Sequence, residues 1–403
     1  IILCCLTSFP LWSYNVNMIV EHYSVDQGLP NNTVNCTLKD RDGFIWFGTW
    51  YGLCCFDGVK FKTFNKQEHD SDVPPRKIQR IVEDKNGYIW VKTIDRKLYV
   101  FNKVTECFHA VYDDMKNYSE NIQVIKLQNT AEGDVLLLTK DKNLLLAGVD
   151  EKGQVTIKIL FDSRDEINKH DYTLKHHVLC ETEEYISWIG TDYKVSAVHK
   201  GAELASRPAD FITSKINSGD KDSFTSFFED GRKVWVGDRA GIFYSIDVRT
   251  GLVNRYVLSE IKGAISNLLV TPAGYVYLSV AGQGTYEYDL AERRLQKINT
   301  EMNDAMVTHA FIDQYDKIWF HENEKALIYY DPLNHTAKRF PFTMFGKITT
   351  LYSEDAGERG LFFLSPAGEA WLFDREHAEM VYINKLKQLS NDRANQQFYH
   401  LML

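Results

Sequence analysis

The sequence predicts an all-β chain built from repeats of one four-stranded antiparallel sheet. Three observations carry that prediction. First, the pattern "DRDGFIWFGTWYGLCCFDG" at 40–58 returns along the chain. It appears as "DKNGYIWVKT" at 84–93, "WIGT" at 188–191, "EDGRKVWVGD" at 229–238, "AGYVYLSV" at 273–280 and "DKIWF" at 316–320, with weaker copies at 132–139 and 358–364. Second, the copies align on Trp46, Trp90, Leu136, Trp188, Trp235, Tyr277, Trp319 and Phe362, in steps of 44, 46, 52, 47, 42, 42 and 43 residues. A near-constant period in the forties marks a repeat architecture. Third, aromatic residues make up 13% of the chain and prolines number only 9, which suits strands and leaves no long Pro-rich linker.

The first unit shows how each element arises. "TVNCTLKD" at 33–40 alternates and reads as a strand. "DRDG" is a tight turn, with Asp tolerating the turn conformation and Gly43 supplying a permissive φ. "FIWFGT" at 44–49 is a strand apolar on both faces, and "LCCFD" at 53–57 is a third, entered through Gly52. "KFKTFN" at 60–65 alternates and is more polar, as an outer strand should be. One such sheet cannot bury both faces alone. Stacked radially against copies of itself it can, which predicts a β-propeller. A sandwich leaves eight evenly spaced anchors unexplained, and a β-helix needs a shorter period.

The start and end of the chain set the expected domains. Residues 1–17 read as a remnant of a secretory signal peptide: the sequence begins at Ile1, and its apolar opening is shorter than a membrane helix requires. Residues 18–25 read as an outermost strand that closes the last blade, giving a seven-bladed propeller over 18–344. "KRFPF" would then be free to open a second, truncated propeller over 345–403, with "NQQFYHLML" as a further inner strand. One eight-bladed ring is the alternative count.

The formal net charge of −9 lacks the basic footprint of nucleic-acid binding, although a local basic pocket for an anionic sugar remains compatible with it. Seven cysteines without CxxC spacing give no disulfide framework, and Cys36, Cys54, Cys55, Cys107 and Cys180 read as buried thiols. No metal or cofactor is expected. "DRDG" and "DKNG" have too few carboxylates for a calcium loop, and the adjacent His176 and His177 lack ligand spacing. No GxSxG, HExxH or P-loop stretch occurs, and no motif singles out catalytic residues.

In a propeller, the loops between second and third strands share one face with the connections to the next inner strand. The first set holds the candidate ligand-binding residues Trp50, Tyr51, Arg96, Tyr193, Arg239 and His321, beside Asp95, Asp192, Asp238, Gln283 and Glu322; the second holds Asn31 and Asn32. Aromatic rings stack on the apolar face of a sugar, and amide and charged groups fix its hydroxyls. The bland reading is ordinary solvated loops, with Trp50 packed on a neighbouring blade.

Residues 34–57, "VNCTLKDRDGFIWFGTWYGLCCFD", resemble the two-component regulator propeller repeat nearly throughout, and "YSVDQGLPNNTV" at 23–34 looks like that family's usual opening. The resemblance is partial in the second, fourth, fifth and seventh copies and weak in the third, sixth and eighth. It implies the periplasmic sensor region of a hybrid two-component system, with two seven-bladed propellers, a β-sandwich spacer, a membrane helix, and histidine kinase and regulator parts. It also implies an oligosaccharide ligand, a homodimer and no catalysis in this region. The competing readings are a propeller lyase or glycoside hydrolase, which needs clustered carboxylates, and a protein-binding propeller, which needs an exposed apolar patch.

Overall fold

The computed structural model describes residues 23–64, 66–67, 75–116, 123–140, 143–161, 179–182, 184–189, 194–201, 211–215, 224–298, 307–322, 325–345, 352–355, 360–365 and 369–385. The signal-peptide reading at 1–17, the terminal strand at 395–403, Cys4, Cys5, His176, His177, Asp192 and Tyr193 lie outside the described residues. The chain divides into two compact units, residues 23–339 and residues 1–22 with 340–403.

The first unit is a β-propeller array. Sheet 1 comprises Val34–Lys39, Ile45–Thr49, Gly52–Phe56 and Phe61–Phe64, paired in chain order and antiparallel throughout. Sheets of the same order follow at 78–110, 124–161, 179–215, 224–257, 265–297 and 307–341. Sheet 2 gains a two-residue parallel edge strand, Lys66–Gln67. All eight sequence anchors fall on the second strand of a sheet.

Each sheet buries its faces against its neighbours. Apolar clusters fill every successive interface from sheet 1 to sheet 7. Trp46 and Leu53 meet Ile78 and Ile89 between sheets 1 and 2. Trp90 meets Val124 and Val135 between 2 and 3. The series continues through Leu136 with Ile186, Ala197 with Val234, Trp235 with Ile265, and Tyr277 with Ile318. Burying one such large side chain stabilises by about 1.5–3 kcal/mol relative to leaving it in water.

The recurrent Asp and Trp form one device. Asp40 Oδ1 accepts the backbone N–H groups of Asp42 and Phe44 at 3.0 and 2.9 Å, closing the turn, while Oδ2 accepts the indole N–H of Trp46 at 2.8 Å. Asp84 does the same for Asn86, Tyr88 and Trp90, and Asp313 for Tyr315, Lys317 and Trp319. Asp230 does so in a turn one residue shorter, with Trp235 at 2.7 Å. In three sheets the turn residue is Thr: Thr130 caps Asp134 ahead of Leu136, Thr182 caps Tyr185 ahead of Trp188, and Thr271 caps Tyr275 ahead of Tyr277. A carboxylate has two acceptor atoms and a hydroxyl one, so Asp can close the turn and accept from the anchor at once. Tyr277 finds its acceptor elsewhere, donating at 2.7 Å to the buried Glu287 on the third strand.

The Gly of "WFGT" is a close-packing requirement. A Cβ on Gly48 would lie 2.4 Å from Cys36 Sγ and 2.6 Å from Ile78 Cγ2 in the next sheet, and Gly237 is as tightly enclosed by Ser226 and Ile265. The opposing first strand is bulged at this level in sheets 1, 2, 3, 5, 6 and 7. The closing "FD" is also structural: Asp57, Asn102, Asp150, Asp247 and Asp289 each cap the turn between third and fourth strands with a side-chain oxygen.

Three expectations are corrected. "KRFPF" is not a free strand, because Thr336–Pro341 pairs as the fourth strand of sheet 7. The described part of 18–25 is not strand: Val25–Gln27 is a 3-10 turn capped by Ser24 and Gln27, and Tyr23 packs on Phe56 and Phe61 of sheet 1. Residues 18–22 lie outside the described residues. Cys36, Cys54 and Cys107 are buried free thiols, whereas the free thiol of Cys55 is only half-buried, a correction to the expectation. Burial pushes Cys36 and Cys54 up to about 12 and Cys55 to about 11, which disfavours the thiolate in each.

The second unit holds one four-stranded sheet, Tyr352–Asp355, Leu361–Leu364, Glu369–Asp374 and Glu379–Lys385. Phe345 packs edge-on against Trp371 at 5.0 Å, and Phe340 against Phe373 at 5.8 Å. Seven sheets in one unit and an eighth in the other span both blade counts that the sequence allows.

Candidate functional site

Antiparallel order gives each sheet two unlike ends. The turn end carries the first-to-second and third-to-fourth turns. The loop end carries the second-to-third loops and the connections between sheets. Backbone hydrogen bonds tie the loop end from sheet to sheet. Trp50 N–H donates to Thr33 O at 3.1 Å, Lys77 N–H to Trp50 O at 2.9 Å, and Ile94 N–H to Lys77 O at 2.9 Å. Val124 N–H then donates to Arg96 O at 2.9 Å, and Lys140 N–H to Gln123 O at 2.8 Å. The loops of sheets 1 to 3 therefore present their side chains from a fixed backbone.

Trp50 is 39% exposed and Tyr51 60%, so the Trp50 ring is not packed away. Lys77 Nζ sits 5.3 Å from its centroid. Arg96 stands at a left-handed φ of 67°, a costly conformation for a non-glycine residue, and its guanidinium reaches Gln123 Oε1 at 3.5 Å. Arg239 is exposed beside the buried Asp238, whose Oδ1 accepts from Ala240 and Ile242 at 2.9 and 2.8 Å. Burial raises the Asp238 carboxyl above its ordinary value.

His321 and Glu322 were expected in a loop, and this is corrected: both lie in the strand Ile318–Glu322. His321 opposes His309 across the sheet and meets Thr308 Oγ at 2.9 Å. Burial lowers its pKa, with the nearby His309 adding to the effect. Glu322 is buried and engaged by Arg339 at 3.0 Å. Other expected rim residues serve the backbone: Asn31 and Asn32 cap Thr33 and Val25, and Gln283 bridges Lys262 N and Glu260 O. The partners of Trp50, Arg96 and His321 are thus neighbours in the same or next sheet rather than one another.

Sequence reasoning missed Arg80, Lys92 and Gln79. Lys92 occupies in sheet 2 the place that Gly48 holds in sheet 1, directly opposite Arg80. The signal was visible on aligning "IWVKT" with "IWFGT".

The turn end is electrostatically closed. Asp40, Asp42 and Glu83 come close enough to hold a metal ion, but Lys103 Nζ stands among them at 2.8, 3.1 and 2.7 Å. Burial opposes the Lys103 charge, yet its bonds to Asp40, Glu83 and Asp42 outweigh burial and raise its pKa. Lys200 repeats the arrangement with Glu132 at 2.8 Å and Glu181 at 2.6 Å.

The architecture is that of a β-propeller. It is similar to the Dos1 propeller with a TM-score of 0.51 at 14% identity, over 83% of this chain and 90% of that one. Within that class, residues 28–51 match the two-component regulator propeller family, on the unit whose motif the sequence spells most fully. The chain is also similar to the extracellular domain of the hybrid two component system BT4673 from B. thetaiotaomicron, at 14% identity and TM-score 0.40, over 91% of this chain and 62% of that one. It is similar to that of BT3049 from B. thetaiotaomicron at 15% identity and TM-score 0.37, over 91% and 55%. The chain thus spans less than two thirds of the length of these domains. No curated protein matches it. Among the described residues, no helix is long and apolar enough to cross a membrane.

Proposed function

We propose that this chain is the ligand-sensing region of an exported hybrid two-component sensor. It binds an oligosaccharide at the loop end and does not catalyse. The observation that carries this reading is the match of residues 28–51 to the regulator propeller family. The exposed rings of Trp50 and Tyr51, with Arg96 in the corresponding loop of the next sheet, support a sugar-binding role for the loop end, with Tyr193, Arg239 and His321 as further candidates. In this reading residues 1–17 are a signal-peptide remnant, residues 18–344 a first propeller and 345–403 part of a second. The region lies in the periplasm, works as a homodimer, and passes its signal through a membrane helix to a histidine kinase. The ligand must favour one arrangement of the dimer over another for binding to become a signal.

Isothermal titration of the whole exported region against a panel of glycan oligosaccharides tests the proposal. Saturable binding of one sugar class, weakened by Trp50→Ala or Arg239→Ala and without product on long incubation, is the expected result. Turnover of any oligosaccharide would replace the sensor with an enzyme.

A further inference from the structure

Sheet 2 differs from sheets 1, 5 and 6 in two respects. The first concerns cross-strand pairs. At the bulge level of the first and second strands, the opposed residues are Cys36 and Gly48 in sheet 1, Ser226 and Gly237 in sheet 5, and Asn267 and Ser279 in sheet 6. In sheet 2 they are Arg80 and Lys92. Like charges placed directly opposite one another destabilise a sheet.

The second concerns the partners of lysines withdrawn wholly or partly from solvent. Lys103, Lys200 and Lys317 are each neutralised by carboxylates, the last by Asp331 at 2.7 Å. Lys92 is only 6% exposed, yet its ammonium donates to a neutral amide, Gln79 Oε1. Arg96, in the loop that follows Lys92, likewise meets an amide, that of Gln123. The carboxylate of this loop, Asp95, is turned to Thr93 Oγ and Lys97 Nζ. Among the described residues, no ion pair involves Arg80, Lys92 or Arg96. Burial, together with the charges of Arg96 and Arg80, makes the protonated form of Lys92 harder to hold.

An amide orients a cation without cancelling its charge. Lys92 and Arg96 are held this way, and the exposed Arg80 stands directly opposite Lys92; crowding these charges at one end of one sheet costs stability, and an anion set among them would recover it. The loop backbone there is fixed by the bonds between Arg96 O and Val124 and between Ile94 and Lys77 O. Trp50, with Lys77 over its ring, lies one sheet away.

From this geometry we infer that Arg80, Lys92 and Arg96 form an anion subsite, and that the oligosaccharide bound at the loop end carries a negative group. This rests on the sugar-sensing reading above and narrows it to acidic glycans. The charged group is a uronate carboxylate or a sulfate ester, which share the same recognition by clustered cations.

The test uses the whole exported region with four probes: a uronic-acid trisaccharide, a sulfated disaccharide, a neutral trisaccharide and inorganic sulfate. Titration and thermal shift are read on the wild type, Lys92→Gln and Arg96→Gln. An acidic probe is expected to bind, to weaken as sodium chloride rises, and to lose at least tenfold in affinity in both variants; which acidic probe binds tells carboxylate from sulfate. Saturable stabilisation by sulfate that disappears in Lys92→Gln, with no sugar bound, would support the anion subsite and sink the sugar-sensing reading. Binding of the neutral trisaccharide alone, unchanged by either substitution, would overturn the subsite and leave the sensor standing. Silence of all four probes would overturn both.

Discussion

The two ends of the blades are built on opposite electrostatic terms. At the turn end, Asp40, Asp42 and Glu83 surround Lys103, and Glu132 and Glu181 surround Lys200. Asp also closes the turns and takes the indole N–H of the anchor. At the loop end of sheet 2, Lys92 and Arg96 have amides for partners and Arg80 stands opposite Lys92, while Trp50 and Tyr51 of sheet 1 reach into solvent. One end spends its polar groups on stability. In sheets 1 and 2 the other keeps charge and aromatic surface exposed or without a carboxylate partner, features that a binding face would use.

The largest contrast is between two tryptophans. Trp90 is fully buried between sheets 2 and 3 and donates to Asp84 at 2.8 Å. Trp90→Ala should cost about 3–5 kcal/mol, read as a lower urea midpoint. Trp50→Ala, at the loop end, should stay within about 0.5 kcal/mol of the wild type while weakening ligand binding. Equal losses of stability would erase the distinction between the ends.

Two lysines give a contrast of sign. Lys103→Gln leaves three carboxylates facing one another and should destabilise by about 1–3 kcal/mol in urea unfolding. Lys92→Met removes one of two opposed cations and should stabilise by about 0.5 kcal/mol. A destabilised Lys92→Met would mean that the Gln79 bond matters more than the repulsion from Arg80, and the loop end would be a structural lock like the turn end.

The same division explains what could be read from the sequence. The period, the turns, the anchors and the four-strand order were legible because Asp, Gly and Trp have geometric tasks that few other residues perform. Gly48 answers to Cys36 and Ile78, and Asp40 needs two acceptor atoms because Trp46 donates. Tyr277 shows how a weak copy hides: its acceptor, Glu287, sits on the next strand rather than in the turn. The outermost strand of sheet 7 was misplaced because "KRFPF" is polar and short, and strand order past an outer edge depends on partners that the local pattern does not name. The candidate site was legible only in part. Loop residues such as Trp50 and Arg96 are found by counting strands, whereas His321 lies one step inside a strand end, where counting is least certain. The Arg80–Lys92 pair went unseen because a lysine in a glycine position looks like decay of the motif rather than a substitution with a purpose.

The smallest expected effect belongs to His321, at the loop end of sheet 7. Burial, with His309 directly opposite, lowers its pKa below the ordinary 6.5. In the unfolded chain the imidazole takes a proton near that ordinary value, while in the folded chain it resists until the pH is lower. The unfolded state therefore binds more protons in this window, and stability falls as the pH drops through about 6.5 towards the folded value. Above that window the contribution is fully present. Urea midpoints at pH 7.5 and 5.5 should drop less for His321→Gln than for the wild type. Equal drops would show that water reaches the imidazole as it reaches Trp50, and would widen the open face from sheet 1 to the far side of the array.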